Sequence, residues 1–155
     1  MIKSLEEVLQ YQSRDVLHRF GFYHPQWKEQ AAMFFDDLKR FLWLYATVEE
    51  QRKTDPEAPD VLISGYMLIL DEIWHCFILY TEHYQQFCED YLGRFVHHPP
   101  KLYKYYRNKE KLGEEAADEI MVEEMIGLVV AYFGEETALR WFEGYEAYVP
   151  ENAIH

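Results

Sequence analysis

The feature that most constrains the fold is an apolar run from Val61 to Tyr80. The run is long enough to cross a bilayer as a helix. It also contains the ionisable side chains of Asp71, Glu72 and His75, and such groups are costly in a hydrocarbon environment. We therefore interpret 61–80 as a buried helix of a protein that does not enter the membrane, with Asp60 as the cap of its first turn.

The remaining sequence also has helical periodicity, because apolar residues recur at spacings of three and four. Ser4 and Glu7 form a capping box that predicts the start of a first helix, and Gly21 is the predicted end of that helix. Loops are predicted at the polar segment 51–60 and at the proline-containing segment 93–100. Further helices are predicted at 25–49, 82–92, 101–112 and 114–133, with a short one after Gly134.

No segment shows the alternation typical of a strand. The hydrophobic fraction of 49% is enough for a sizeable core, and the length suits one domain. We therefore expect an all-α fold, a single compact, irregular bundle of about six helices that spans residues 1–155.

The charge of the chain disfavours some partners. It carries 15 Lys and Arg against 28 Asp and Glu, a formal net charge of −13, and a polyanion repels phosphates. We therefore expect no broad binding to nucleic acid or to anionic membranes. The basic, tyrosine-rich segment 101–112 has the composition of an RNA-contacting element, but we favour a basic helix that packs against acidic neighbours in its own domain.

Cysteine content and the first residues indicate the compartment. Two cysteines, Cys76 and Cys88, are too few for a disulfide framework in a chain of this length. Residues 1–10 are amphipathic and acidic and do not have the pattern of a signal peptide. We expect a cytoplasmic protein.

Residues 70–100 contain the side chains that suit chemistry. Asp71 and His75 are four residues apart, so they share one face of a helix. Cys88 lies on the apolar face of the next helix, and His97 and His98 lie in the following proline-containing loop. If that loop folds back, His75, Cys88 and one of the paired histidines converge, with Asp71 as a fourth ligand or an orienting neighbour. Thiolate, imidazole and carboxylate suit tetrahedral zinc, and iron less well.

Two alternatives need no metal. In the first, the same residues are structural: Asp71 or Glu72 pairs with Arg94, and Cys88 is a small buried apolar side chain. In the second, Cys88 acts as a nucleophile with His75 as its base. The position of Cys88 on an apolar helical face weakens the second alternative, because burial raises the pKa of a thiol.

A di-iron carboxylate bundle is a further alternative. Glu72 and His75 have the Glu-x-x-His spacing of such proteins, and Asp15 and His18 form an aspartate variant of it. The segment around Asp15 and His18 has the pattern of an ordinary amphipathic surface helix, which disfavours this alternative. The carboxylates available to it are Glu49, Glu50, Glu89, Glu123 and Glu124.

The motif Asp71-Glu72-Ile73-Trp74-His75, followed by Tyr84, Cys88, Gly93-Arg94-Phe95 and His97-His98-Pro99, resembles the glycine-rich domain-containing protein-like family, and most closely its short bacterial members. The resemblance is specific over about 70–100. It implies a site made of Asp71, His75, Cys88 and His98 and brings no substrate. Phe77 stands where many long members have a second histidine, and the chain has too few glycines for the tail that names the family.

The function that we predict is a small metal-binding or ligand-binding module built on this motif. The first alternative is an interaction or scaffold protein with a protein partner, in which the motif only stabilises the fold. The second alternative is a metal-dependent enzyme.

Overall fold

The computed structural model describes residues 1–150, and within this range the chain is helical and contains no strand. The all-α prediction is confirmed, although these residues form eight α-helices rather than about six. A π-helical turn, Cys88–Leu92, continues the fifth helix. The helices are α1 (Leu5–Gln10), α2 (Arg14–Tyr23), α3 (Ala31–Arg52), α4 (Leu68–Ile78), α5 (Thr81–Phe87), α6 (Lys104–Leu112), α7 (Glu114–Phe133) and α8 (Glu135–Phe142).

The predicted first helix is divided into α1 and α2. The capping box is confirmed, because the Ser4 Oγ accepts a hydrogen bond from the backbone N–H of Glu7 at 3.2 Å. The Ser13 Oγ accepts from the N–H of Val16 at the same distance and so begins a second helix. Apolar periodicity alone does not show this break, since both helices turn apolar residues toward the same core.

Gly21 does not end α2, so that prediction is wrong. The helix continues to Tyr23 and stops before Pro25, which has no N–H and disfavours helical geometry at His24. The helix predicted over 25–49 also begins later than expected. Pro25–Gln30 is a 3₁₀ helix, and α3 follows it and extends three residues beyond the predicted end, into the predicted loop 51–60.

The apolar run is α-helical only over α4, so the predicted bounds of 61–80 are wrong at both ends. The Ser64 Oγ accepts from the N–H of Tyr66 at 3.4 Å and begins a short 3₁₀ turn, Gly65–Met67. Asp60 does not cap this helix. Its carboxylate accepts backbone N–H groups of Tyr103, Lys104 and Tyr105 at 2.8–3.2 Å and therefore caps α6. Within residues 1–150, no helix is both long enough and apolar enough to span a membrane.

The centre of the core lies between α3 and α4, where aromatic rings pack against each other. The rings of Phe41 and Trp74 are 5.5 Å apart between centroids, and those of Phe35 and Phe77 are 5.3 Å apart in an edge-to-face arrangement. Such pairs contribute about 0.5–1.5 kcal/mol beyond the burial of their area. This packing fixes the rotation of α4, and therefore which of its faces reaches the surface.

A buried carboxylate joins α8 to α3. Asp37 is fully buried, and its oxygens accept from Arg40 at 2.6 Å and from Arg140 at 2.7 and 2.8 Å. The hydroxyl of Tyr145 donates to the same carboxylate. A buried charge needs such partners, because removing one of them leaves an uncompensated ion.

The basic segment packs against acidic side chains, as the favoured interpretation expects. On α6 the Lys104 Nζ lies 2.8 Å from the Glu124 carboxylate, and the Arg107 guanidinium makes two bonds, at 3.0 and 3.1 Å, to Glu57. These contacts occupy two of the basic side chains within the domain itself.

Candidate metal centre

The first two residues of the site lie one turn apart on α4. Asp71 and His75 occupy positions i and i+4, so their side chains project from the same face. The His75 Nε2 lies 3.3 Å from the Asp71 Oδ2. Both side chains remain partly exposed, whereas their neighbours Trp74 and Cys76 are fully buried. The pair therefore forms a polar strip on an otherwise apolar helix.

The segment after the π-helical turn brings the third residue back to α4. Gly93 ends the turn at φ +71°, a left-handed conformation that glycine adopts without a Cβ clash. A Cβ at this position would lie 2.9 Å from the backbone nitrogen of Met1. Two residues before His98, the carbonyl of Val96 accepts from the Tyr84 hydroxyl at 2.6 Å. His98 then packs edge-on to Trp74, with ring centroids 4.6 Å apart.

Asp71, His75 and His98 thus form one compact group. The His98 Nε2 lies 2.7 Å from the Asp71 Oδ1 and 3.1 Å from the His75 Nε2. One donor atom from each residue lies within 4.8 Å of the other two, and no other such group of three occurs among residues 1–150. The side chains of His75, Asp71 and His98 are 12%, 25% and 27% exposed, so the group is accessible from solvent.

The separations between these atoms match the edges of a coordination polyhedron. With metal–ligand bonds of about 2.0–2.1 Å, neighbouring donors lie about 3.3–3.4 Å apart in a tetrahedron and about 2.8–3.0 Å apart in an octahedron. The observed separations of 2.7, 3.1 and 3.3 Å are close to these two values, although the two histidines approach different oxygens of Asp71, His98 the Oδ1 and His75 the Oδ2. An ion could therefore be held with only small movements of the three side chains.

The facing histidines also limit the protonation states of the group. The two Nε2 atoms are 3.1 Å apart, so two protons on them would point at each other. The contact is avoided if only one Nε2 carries a proton and donates it to the Asp71 carboxylate. It is also avoided if a cation binds the lone pairs of both Nε2 atoms. The arrangement is compatible with a hydrogen-bonded triad and with a metal site.

Cys88, the fourth predicted ligand, is not part of this group. It is fully buried, and its thiol lies against the Tyr84 hydroxyl and the backbone of Val96, which are both on the core side of the loop. Burial raises the pKa of this thiol, although its hydrogen-bond contacts with the Val96 backbone and the Tyr84 side chain partly offset the effect. The structure therefore brings together three of the four predicted ligands, Asp71, His75 and His98.

The structure also distinguishes the paired histidines. His97 is exposed, and its ring packs against Phe95 at 4.8 Å between centroids. The His98 ring is directed to Asp71 instead, at 2.7 Å from its Oδ1.

The ion pairs of the structural alternative differ from those that the sequence suggests. Arg94 lies 3.3 Å from Glu50 and 3.8 Å from Glu49, and it pairs with neither Asp71 nor Glu72. Glu72 projects from the other side of α4 and lies 3.0 Å from the His24 Nε2, where both side chains are buried. That pair joins α4 to the end of α2.

These contacts argue against the two remaining alternatives. The Cys88 thiol has Tyr84 and Val96 as its neighbours, and its raised pKa disfavours the thiolate that a nucleophile needs. A di-iron site needs Glu72 beside His75, but Glu72 is directed to His24. Among residues 1–150, the carboxylates named for that alternative do not form a cluster with histidine.

Comparison with known families adds one match. The model of the UCP032817-like family matches residues 6–113, which is more than half of the chain. The chain belongs to the UCP032817-like family. The matched range contains Asp71, His75, Cys88 and His98 and ends before α7. No curated protein and no solved structure matches the chain.

Membership of the UCP032817-like family names no substrate, and it does not test the resemblance to the glycine-rich domain-containing protein-like family, which stays a prediction. Sequence analysis places Trp74 and Tyr84 in the motif but assigns neither a role beside the site. Their spacing predicts only core packing, and the partner of the Tyr84 hydroxyl is a backbone carbonyl, which no side-chain pattern specifies.

Proposed function

We propose that this protein is a small metal-binding module in which Asp71, His75 and His98 bind one divalent transition-metal ion. Zinc is the favoured ion, and ferrous iron is the second choice. Two imidazoles and one carboxylate suit both ions, and such a site generally binds zinc more tightly than ferrous iron.

The observation that carries this proposal is the convergence of three donor atoms from two separate elements. Asp71 and His75 come from α4, and His98 comes from a segment 23 residues beyond His75. Each histidine Nε2 lies 2.7–3.3 Å from an Asp71 oxygen and 3.1 Å from the other Nε2, and one donor atom of each residue lies within 4.8 Å of the other two. Metal-binding histidines and carboxylates have this spacing, and the partial exposure gives an ion a route from solvent.

Three protein ligands leave at least one coordination position for water or an external ligand. Structural zinc sites are usually closed by four protein ligands, whereas sites that bind substrates keep a position open. With Cys88 turned away, the site is of the open kind. This favours reversible binding of a small ligand at the ion over a purely structural zinc.

The test is a zinc titration by calorimetry, together with metal analysis of tag-free protein. We expect about one zinc per chain for the wild type and for His97→Ala, and a loss of at least tenfold in affinity for His98→Ala. His97→Ala is a matched control, because it removes an adjacent imidazole that faces Phe95 instead. The proposal fails if the wild type binds no zinc, or if the two variants bind it equally.

Two other functions remain. An interaction or scaffold protein is favoured by the 2.7 Å bond between His98 and Asp71, which is a complete hydrogen bond without any ion. In that case His98→Ala lowers the melting temperature, and zinc changes the melting temperature of neither the wild type nor this variant. A metal-dependent enzyme needs the open position described above and a substrate beside it.

The location that we infer is the cytoplasm. Both cysteines are buried free thiols, Cys76 on α4 and Cys88 after α5, which fits a reducing compartment. Fractionation of cells that express the full chain tests this inference.

A further inference from the structure

We propose that Tyr84 is a positioning residue of the metal centre, whose hydroxyl fixes the two elements that supply the ligands relative to each other. This inference rests on the proposed function. Tyr84 lies on α5, outside the group of three ligands, and does not contact the ion position itself.

The Tyr84 hydroxyl has a hydrogen-bond partner on each side of the site. It accepts from the indole Nε1–H of Trp74 at 3.1 Å and donates to the carbonyl of Val96 at 2.6 Å. Trp74 immediately precedes His75 on α4, and Val96 lies two residues before His98. One oxygen atom therefore links the helix that carries Asp71 and His75 to the segment that carries His98.

The surroundings make this link hard to replace. Tyr84 is 1% exposed, and Trp74 and Val96 are buried as well, so water cannot easily take the place of the hydroxyl. Burial raises the pKa of the Tyr84 phenol, which keeps its proton available to Val96. The indole of Trp74 also packs edge-on to the His98 ring, so Trp74 contacts both Tyr84 and a ligand.

Removal of the hydroxyl leaves the Val96 carbonyl and the Trp74 N–H without their partner. The segment 93–100 then loses its buried hydrogen bond towards α4, and His98 keeps its ring contact with Trp74 and its contacts with Asp71 and His75. Residues behind a metal site that orient its ligands typically change the metal affinity by about 10–100-fold when they are mutated. We expect Tyr84→Phe to weaken metal binding within that range.

The experiment uses Co²⁺ as a spectroscopic probe in the full chain, because its visible absorption reports the number and arrangement of ligands. Tyr145→Phe is the matched control: Tyr145 is also 1% exposed, and its hydroxyl donates to a different buried acceptor, Asp37. We expect Tyr84→Phe to weaken Co²⁺ binding at least tenfold and to change the spectrum of the loaded protein. Tyr145→Phe lowers the melting temperature but leaves both the affinity and the spectrum at wild-type values.

The outcomes separate this inference from the proposed function. If the wild type binds no Co²⁺ and no Zn²⁺, both fail. If the wild type binds Co²⁺ and Tyr84→Phe has an unchanged spectrum, or if Tyr145→Phe shows the same changes as Tyr84→Phe, the role of Tyr84 is merely structural and this inference alone fails.

If Tyr84→Phe does not fold, Trp74→Phe is tested in its place, because this variant removes the hydrogen bond to α4 while the Tyr84 hydroxyl still donates to Val96. Unchanged Co²⁺ affinity and spectrum in that variant overturn the inference.

Discussion

The substitution Asp60→Ala tests how strongly the cap of α6 stabilises the chain around the site. The Asp60 carboxylate accepts three backbone N–H groups at the start of α6: Tyr103 and Lys104 on Oδ1, at 2.8 and 3.2 Å, and Tyr105 on Oδ2, at 2.8 Å. Asp60 is only 4% exposed. Since α6 directly follows the segment that carries His98, this contact anchors that segment at its far end.

The magnitude follows from the number of bonds that are lost in Asp60→Ala. An ordinary capping side chain contributes about 0.5–2 kcal/mol, usually through one or two N–H groups. A carboxylate also interacts favourably with the positive end of the helix, which adds about 0.3–1 kcal/mol. With three N–H groups and near-complete burial, we expect Asp60→Ala to lower the free energy of unfolding by about 2–3 kcal/mol.

Urea unfolding followed by far-UV circular dichroism measures this loss, and the melting temperature should fall by about 5–10 °C in a chain of this length. Asp60→Asn retains one acceptor oxygen and should lose about half as much. Asp55→Ala is the matched control, because Asp55 is exposed in the same loop and, among residues 1–150, its carboxylate accepts a single backbone N–H, that of Glu57. A loss for Asp60→Ala no larger than that for Asp55→Ala would show that this cap does not stabilise the fold.

Four further predictions concern stability and thiol chemistry. Gly127→Ala in α7 should raise the free energy of unfolding in urea by about 0.5–1 kcal/mol, because alanine favours a helix and the added Cβ meets no atom within 4 Å; a decrease would contradict this. Asp37→Ala should lower the free energy of unfolding by about 3–5 kcal/mol, because Arg140 then loses its buried carboxylate. A melting temperature within about 2 °C of the wild-type value would refute this reasoning, since that shift corresponds to a loss below about 1 kcal/mol. Burial raises the pKa of Cys76 from 9.0 to about 12, so a thiol reagent at pH 8 should react only after unfolding. Because the unfolded chain releases that proton first, stability should fall as the pH rises from 9.0 towards 12, and the fall should be smaller in Cys76→Ala.

The part of the site that sequence analysis predicted depends on local geometry. Asp71 and His75 are four residues apart on one helix, and this spacing alone places them on the same face. His98 follows a glycine that reverses the chain and precedes a proline pair, so its segment had few conformations available. For such residues the local sequence is enough to predict most of their placement.

The part that could not be predicted depends on partners that are distant in sequence. Cys88 is the first residue of the π-helical turn, and its thiol faces Tyr84 rather than the site, because that hydroxyl and the Val96 backbone occupy its surroundings. Asp60 caps a helix more than 40 residues away instead of the nearer one. Helical periodicity gives the face of a residue but not the element that packs against it.

The two polar faces of α4 show why only one of them suits a metal ion. On each face a carboxylate meets a histidine from another part of the chain: Glu72 meets His24 at 3.0 Å, and Asp71 meets His98 at 2.7 Å. The side chains of Glu72 and His24 are at most 5% exposed, and the two form a pair that joins α4 to α2. The second face differs in two respects, since His75 adds a third donor atom and all three side chains are open to solvent. Binding an ion requires both, because the ion must be surrounded by several lone pairs and must also be able to enter. The ionisable residues of the apolar run thus divide into Glu72, whose pair with His24 joins α4 to α2, and Asp71 and His75, which form with His98 the group to which we assign the metal ion.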